Sequence, residues 1–312
     1  PRVLDAVEQL IKRYGLSYVD SRAGLLFDIV EFSLYTPFEQ ASQLNSLSYS
    51  LNSAYNKLLA RGIEINFART TTGDGYYIWN RDLGPEANRD LFYFLLLVVA
   101  DNTMARAASR GNTVPVIRTA YHIGGHYELY QAEGVNPTVF SYIVGDVTIE
   151  LSRMVDLAQA NQILVGDFHC PPVSSRSAAY GRLPEITAPA FISACNRDLA
   201  ALQGTQLSGK AITALSCRLT ASEGEDGKRE PRRFRIVDKH GLSRHAYNLE
   251  IAMDLEGKSF SLGLDVSRLP ARHRDDESVA PSAQRMAPSA DELIGDLASL
   301  LKKRTSRTMT ED

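Results

Sequence analysis

Residues 22–33 read Arg-Ala-Gly-Leu-Leu-Phe-Asp-Ile-Val-Glu-Phe-Ser, an apolar run broken by one carboxylate. The stretch Arg22–Val30 has the length and composition of a buried strand. Asp28 is the anomaly within it. A carboxylate inside an apolar strand is costly unless a cation or a hydrogen-bond donor compensates it. Working outward, Pro37–Ala60 reads as a long helix ended by Arg61-Gly62. Ile63–Arg69 alternates as a strand, Thr70–Gly75 turns, and Tyr76–Trp79 forms a second strand. The result is a β-hairpin with Asp74 at its tip, between Gly73 and Gly75.

Further along, Pro85–Arg110 reads as a helix and Val114–His122 as a strand. A Gly-rich loop follows, then a strand at Thr138–Ile143, a helix at Asp146–Ala160 and a strand at Ile163–Val165. The order β-α-β-β-α-β-β-α-β predicts an α+β sandwich of ferredoxin-like type, with helices packed on a mixed or antiparallel sheet. Beyond it, Ala188–Leu202 reads as a helix, and Lys210–Ala221 and Arg233–Val237 as strands joined by the polar tip Ser222–Arg232. Tyr247–Leu255 and Lys258–Leu264 form a further hairpin turning at Glu256-Gly257. The predicted organisation is an N-terminal helix (1–20), a main domain with a β-hairpin extension (21–266), a flexible linker (267–289) rich in Pro, Ser, Ala and charge, and a C-terminal helix and tail (290–312).

Composition narrows the function classes. Of 312 residues, 34 are Lys or Arg and 37 Asp or Glu, a net charge of -3, which argues against a dedicated nucleic-acid binder. The longest apolar run, Leu91–Ala100, is about half the ~20 residues needed to cross a bilayer. The first residues, Pro-Arg-Val-Leu-Asp-Ala, lack a signal-peptide layout. Cys170, Cys195 and Cys217 are too few and too scattered for a disulfide framework or a zinc site. The expectation is a soluble cytoplasmic protein with no membrane partner and no nucleic-acid substrate.

Asp74 alone is an ordinary turn residue, since Asp and Gly make turns for local reasons. Asp28 alone is balanced between a strand-end hydrogen bond and a metal role. The pair changes the weighing. A strand beside a hairpin can bring both carboxylates to one end of a sheet, where they can hold one or two Mg²⁺ or Mn²⁺ ions.

Four segments carry a resemblance: Phe27-Asp28-Ile29-Val30-Glu31-Phe32-Ser33; Thr72-Gly73-Asp74-Gly75-Tyr76; Arg118-Thr119-Ala120-Tyr121-His122-Ile123-Gly124; and Gly145-Asp146 followed by Ser152-Arg153-Met154. In this order they resemble the class III nucleotidyl cyclases, the adenylate and guanylate cyclases, over Gly24–Asp167, about half the chain. A fainter match is Val237-Asp238-Lys239-His240-Gly241. The resemblance implies two Mn²⁺ or Mg²⁺ ions per active site on Asp28, Asp74 and the backbone carbonyl of Ile29. It implies attack of the ribose 3′-oxygen on the α-phosphorus with loss of pyrophosphate. Arg153 matches the family's transition-state arginine, supplied across a homodimer with shared active sites. Lys239 would reach the triphosphate, and Phe32 belongs to the first motif near the substrate. Arg118 and His122 read as structural strand residues without a catalytic role.

The family's purine-reading positions depart from pattern. They fall on Thr70 and, aligned without gaps from Arg153, on Tyr142; the family asparagine falls on Ile149. A bulky Tyr142 would shrink the pocket toward a one-ring base, and the hydroxyl of Thr70 suits a pyrimidine edge. Tyr49 is a further candidate pocket aromatic, set against ordinary helix packing. This pattern is similar to the pyrimidine cyclases of bacterial antiphage defence (Pycsar type), which implies a pyrimidine nucleoside triphosphate as substrate, UTP ahead of CTP. The competing expectations are an ordinary adenylate or guanylate cyclase and a catalytically degenerate nucleotide-binding module.

Overall fold

The computed structural model describes residues 16–84, 86–132, 139–173, 184–223, 229–237 and 241–269. Residues 1–15 of the expected N-terminal helix, most of the linker, the C-terminal helix and tail, and Lys239 lie outside these residues, whereas Ser17–Asp20, expected at the end of that helix, belong to the first strand. The chain divides into two units, Pro1–Asp276 and Glu277–Asp312, and every described residue belongs to the first.

Strand β1 (Ser17–Ile29) is followed by α1 (Pro37–Ala60), β2 (Phe67–Thr71), β3 (Gly75–Asn80), α2 (Ala87–Ala108), β4 (Ile117–Ala132), β5 (Val139–Val144), α3 (Asp146–Leu157) and β6 (Ile163–Gly166). This is the expected β-α-β-β-α-β-β-α-β order. An extension follows: β7 (His169–Cys170), β8 (Ile186–Thr187), α4 (Ala188–Arg197), β9 (Gln206–Leu207), β10 (Lys210–Leu219), β11 (Ala221–Glu223), β12 (Arg229–Pro231), β13 (Arg233–Val237), β14 (Ser243–Leu255) and β15 (Lys258–Leu262). The principal sheet runs β2-β3-β1-β4-β6-β14-β10-β9, with β5 beside β4 and with β13 and β15 beside β14. Only the β4–β6 pairing is parallel, so the sheet is mixed. The fold class is α+β.

The period-2 alternation of β1 decides which helices cover which face. Ala23, Leu25, Phe27 and Ile29 join α1 and α2 in the larger core. Leu26 points the other way, with Trp79 and Ala120, and packs under Val147, Leu151 and Met154 of α3. Helix α1 begins in a capping box: the Glu39 amide donates to the Thr36 side chain, and Glu39 accepts from the Thr36 N–H at 3.0 Å. Its Leu47, Leu51, Ala54 and Leu58 form the buried stripe. Helix α2 is long and apolar enough to cross a membrane by length and composition. Here its run Leu91–Ala100 is buried in the larger core, between α1, the sheet and the extension, where Phe92 meets Phe191 of α4 edge to face.

Two expectations are corrected. Gly124 and Gly125 do not form a loop; β4 passes straight through them. Arg22 pairs with Gly124, just beyond a register shift in β1, and a Cβ on Gly125 would come within 2.3 Å of the Tyr18 hydroxyl. Glycine here leaves room for the exposed Tyr18 ring to lie over the strand. The expected helix 188–202 is two pieces, since Asp198 leaves helical geometry at φ -98°, ψ 4° before a short 3-10 turn at Leu199–Leu202.

Candidate active site

The two aspartates meet at one end of the sheet. Asp28 is the penultimate residue of β1, opposite Gly75 on one side and Arg118 on the other. Gly73 turns the hairpin tip with φ 101°. Gly75 lets the tip close on β1, because a Cβ there would lie 1.9 Å from the Phe27 carbonyl. With the tip closed, the Ile29 N–H donates to the Asp74 carbonyl at 2.9 Å. The Thr72 hydroxyl donates to Asp74 Oδ1 at 3.0 Å. A backbone bond thus fixes Asp74 beside Ile29, one residue from Asp28.

Asp28 is buried, and Arg118 Nε donates to its Oδ2 at 2.6 Å. Burial raises the Asp28 pKa; the hydrogen bond and charge of Arg118 oppose this, and the nearby carboxylates of Asp74 and Asp156 add to the rise. Arg118 therefore has a function in the site that its position in a strand did not reveal. It is the counterion that opposes the upward push of burial and like charges on Asp28.

The sheet face that carries Asp28 also carries the other polar candidates. Thr70 is cross-strand partner to Tyr77, which is adjacent to Leu26 in the register. The Tyr77 hydroxyl donates to the Thr148 carbonyl of α3 at 3.2 Å; burial raises its pKa, with the carboxylates of Asp156 and Asp28 adding to the rise and Arg153 opposing it. Arg153, on α3, sits beside Asp156, with Nη1 3.5 Å from Oδ2. Within one chain, then, Asp28, Asp74, Arg118, Tyr77, Thr70 and Arg153 share one region. The sequence reading missed Tyr77. The signal was present: counting by twos from Gly75, the partner of Asp28, reaches Tyr77 on the same face.

Other candidates lie elsewhere. Phe32 sits in the 3-10 turn after β1, packs against the larger core and gives its carbonyl to Gln40 Nε2 at 3.1 Å. Tyr142 is 36% exposed on β5 and pairs with Leu129. Its neighbour Ile143 takes the buried side with the α3 cluster, so Tyr142 faces outward. Tyr49 is 74% exposed on α1, the helix layer on the other side of the sheet from Asp28. The structure does not bring it to the carboxylates. Ile149, the position of the family asparagine, is exposed on α3.

The donors fit a hard divalent cation. Asp28 Oδ1 and Asp74 Oδ2 carry no hydrogen bond among the described residues, and the Ile29 carbonyl receives none back from the Asp74 N–H. An all-oxygen set of this kind suits Mg²⁺ or Mn²⁺ rather than a soft metal. No group of three or more His, Cys, Asp or Glu that could hold a metal gathers among the described residues.

No family model matches the sequence, and no curated protein does. Among solved structures, the guanylate cyclase domain of RhGC from Catenaria anguillulae in complex with GTP shares 13% identity over 75% of this chain and 97% of its own, with TM-score 0.42. The non-canonical dimeric guanylyl cyclase domain of the RhoGC fusion protein from Blastocladiella emersonii gives 12% identity, 75% and 96% coverage, and TM-score 0.41. The adenylyl cyclase CyaB from P. aeruginosa gives 12%, 75% and 95%, and 0.40.

Proposed function

We propose that this protein is a nucleotidyl cyclase that converts a nucleoside triphosphate to a 3′,5′-cyclic nucleotide and pyrophosphate. The observation that carries the reading is the carboxylate pair: a buried Asp28 and a hairpin-tip Asp74 are tied together by the Ile29–Asp74 backbone bond. Two close carboxylates with unbonded oxygens are costly in a purely structural role. Asp28, Asp74 and the Ile29 carbonyl would hold divalent ions, which when bound activate the ribose 3′-hydroxyl and hold the triphosphate. Arg118 favours the charged form of Asp28. Arg153 presents a guanidinium to the charge that develops on the α-phosphoryl group, as positioning and neutralisation require. Lys239 belongs to the same proposal as a triphosphate contact.

The finer proposal is a pyrimidine substrate, UTP ahead of CTP, and a role as a second-messenger synthase in antiphage defence. It rests on Thr70, which offers a hydroxyl where a purine reader would stand, and on the motif pattern. One observation favours a second reading, an ordinary adenylate or guanylate cyclase: Tyr142 faces outward and does not narrow a base pocket next to Thr70 within the chain.

A second copy of the chain completes the proposed enzyme. Tyr18, Tyr127 and Val144 form an exposed cross-strand row over β1, β4 and β5, with Tyr142 beside it and the two tyrosine rings 5.1 Å apart. An exposed apolar row on a sheet supports a partner surface.

Incubating the protein with each of the four nucleoside triphosphates and Mn²⁺, and resolving products by mass, tests the reading. Cyclic UMP or cyclic CMP is expected. Cyclic AMP or cyclic GMP as main product selects the second reading, and no cyclic product with any nucleotide refutes both. Mixing inactive Asp74→Ala with inactive Arg153→Ala tests the shared site. Recovered activity places Arg153 across the dimer, and none after proven subunit exchange places it in the same chain.

A further inference from the structure

Tyr49 opens onto a groove of ≈ 480 Å³, within the size range of small-ligand sites and sharing no residue with the carboxylate site. One wall is a face of α1 from Tyr49 to Ala60, about 16 Å long at ~1.5 Å per residue. The other is Gly204–Gln206 of the extension. The groove therefore lies where the first nine elements meet the added ones.

Its chemistry is specific. No carboxylate lines it. Lys57 is present, but its ammonium is already held by Asp101 and Ser53. Arg61 is different. Its Nε donates to the Ala201 carbonyl at 3.0 Å, which pins the guanidinium plane, and its two terminal nitrogens carry no hydrogen bond among the described residues. A pinned guanidinium with its fork open is suited to phosphate oxygens. Thr205 is only 4% exposed, and its Oγ1 has no hydrogen-bond partner. A buried hydroxyl left unpaired costs ~1–3 kcal/mol; this one lies beneath the groove surface, with no area open to a ligand. Asn52, Asn56 and Gln206 each present a donor and an acceptor, as a base or ribose edge requires. Tyr49 offers an open ring face at the far end.

We propose that this groove is a second binding site, for a nucleoside monophosphate or its cyclic diester. The phosphate lies on the Arg61 fork, the ribose and base run along Asn56 and Asn52, and the base reaches toward Tyr49. Charge sets the class. One uncompensated cation matches the one or two charges of a monophosphate and leaves most of a triphosphate unmatched. The site goes beyond the proposed reaction and stands without it, because every residue it uses lies away from Asp28 and Asp74.

Isothermal titration calorimetry of the full chain, in EDTA to keep divalent ions from the carboxylates, tests it with cyclic UMP, UMP, uridine and inorganic phosphate. Both nucleotides should bind, with uridine and phosphate at least about tenfold weaker, a difference of ~1.4 kcal/mol. Arg61→Gln should weaken nucleotide binding about tenfold or more. Asn56→Ala, at an exposed position, should weaken it with the fold untouched and serves if Arg61→Gln is unstable. Asp74→Ala should leave it unchanged. No nucleotide binding, phosphate binding as tightly as the nucleotides, binding indifferent to both groove substitutions, or binding lost in Asp74→Ala would each overturn the proposal.

Discussion

The two faces of the central sheet are built from the same strands and do different work. The face under α1 and α2 takes Leu25, Phe27, Ile29, Ile117, Tyr121 and Val165 and is continuous apolar core. The face under α3 takes Leu26, Trp79 and Ala120, but the same alternation also puts Asp28, Arg118, Tyr77 and His122 there. One short helix covers it among the described residues, and at the carboxylate end Asp28 is buried while Asp74 is partly exposed. The difference teaches that a side-chain period of two sets the larger apolar core and the proposed chemistry on opposite faces of the same strands.

The sharpest test of that separation is Asp74→Ala. It should lower cyclic-nucleotide formation about 1000-fold, the scale of losing metal-held charge stabilisation, while the melting temperature stays put. A large drop in melting temperature would show that the hairpin tip supports the fold. On the opposite face, Phe92→Ala should cost about 3–5 kcal/mol in denaturant unfolding, yet leave turnover per folded molecule intact. Turnover falling faster than the folded fraction would break the comparison.

Acid should act through the polar face. Burial holds His122 neutral and lowers its pKa to about 4. Its ordinary value lies near 6.5, so between the two the unfolded chain binds the extra proton. Stability from this group is full above about pH 6.5 and is lost as the pH falls toward 4, by about 3 kcal/mol. His122→Gln should flatten that part of the stability–pH curve, while a wild-type slope in the variant would assign the effect to other groups. Smallest of all, Tyr77→Phe removes one hydroxyl that bridges sheet and α3 and should cost about 1 kcal/mol. A change well beyond that in turnover, with stability so little altered, would draw Tyr77 into the site's chemistry.

Much of this was legible in the chain. The alternation around Asp28, the stop at Arg61-Gly62 and the Gly-Asp-Gly tip are all local, and each formed as its residues required. The hairpin Tyr247–Leu255/Lys258–Leu264 likewise turned at Glu256-Gly257. Gly124-Gly125 misled because a glycine pair reads as a turn, whereas here both lie inside a strand paired with β1, which is distant in sequence. Where Tyr142 and Tyr49 point could not be read from the chain, because a side chain's address depends on which face its element presents, and the gap-free alignment of Tyr142 to Arg153 carried no information about faces.

By itself the sequence determined the order of the first nine elements, the strand and hairpin-tip placement of the two aspartates and the α+β class, because period and turn chemistry act over a few residues. Only the tertiary structure decided the partnerships. It set Arg118 against Asp28, hung Tyr77 between the sheet and α3, turned Tyr142 outward, and left Arg61 with an open fork in a groove on the other side. Those choices depend on strand register and on which helix covers which face, and these are settled by contacts between residues dozens of positions apart.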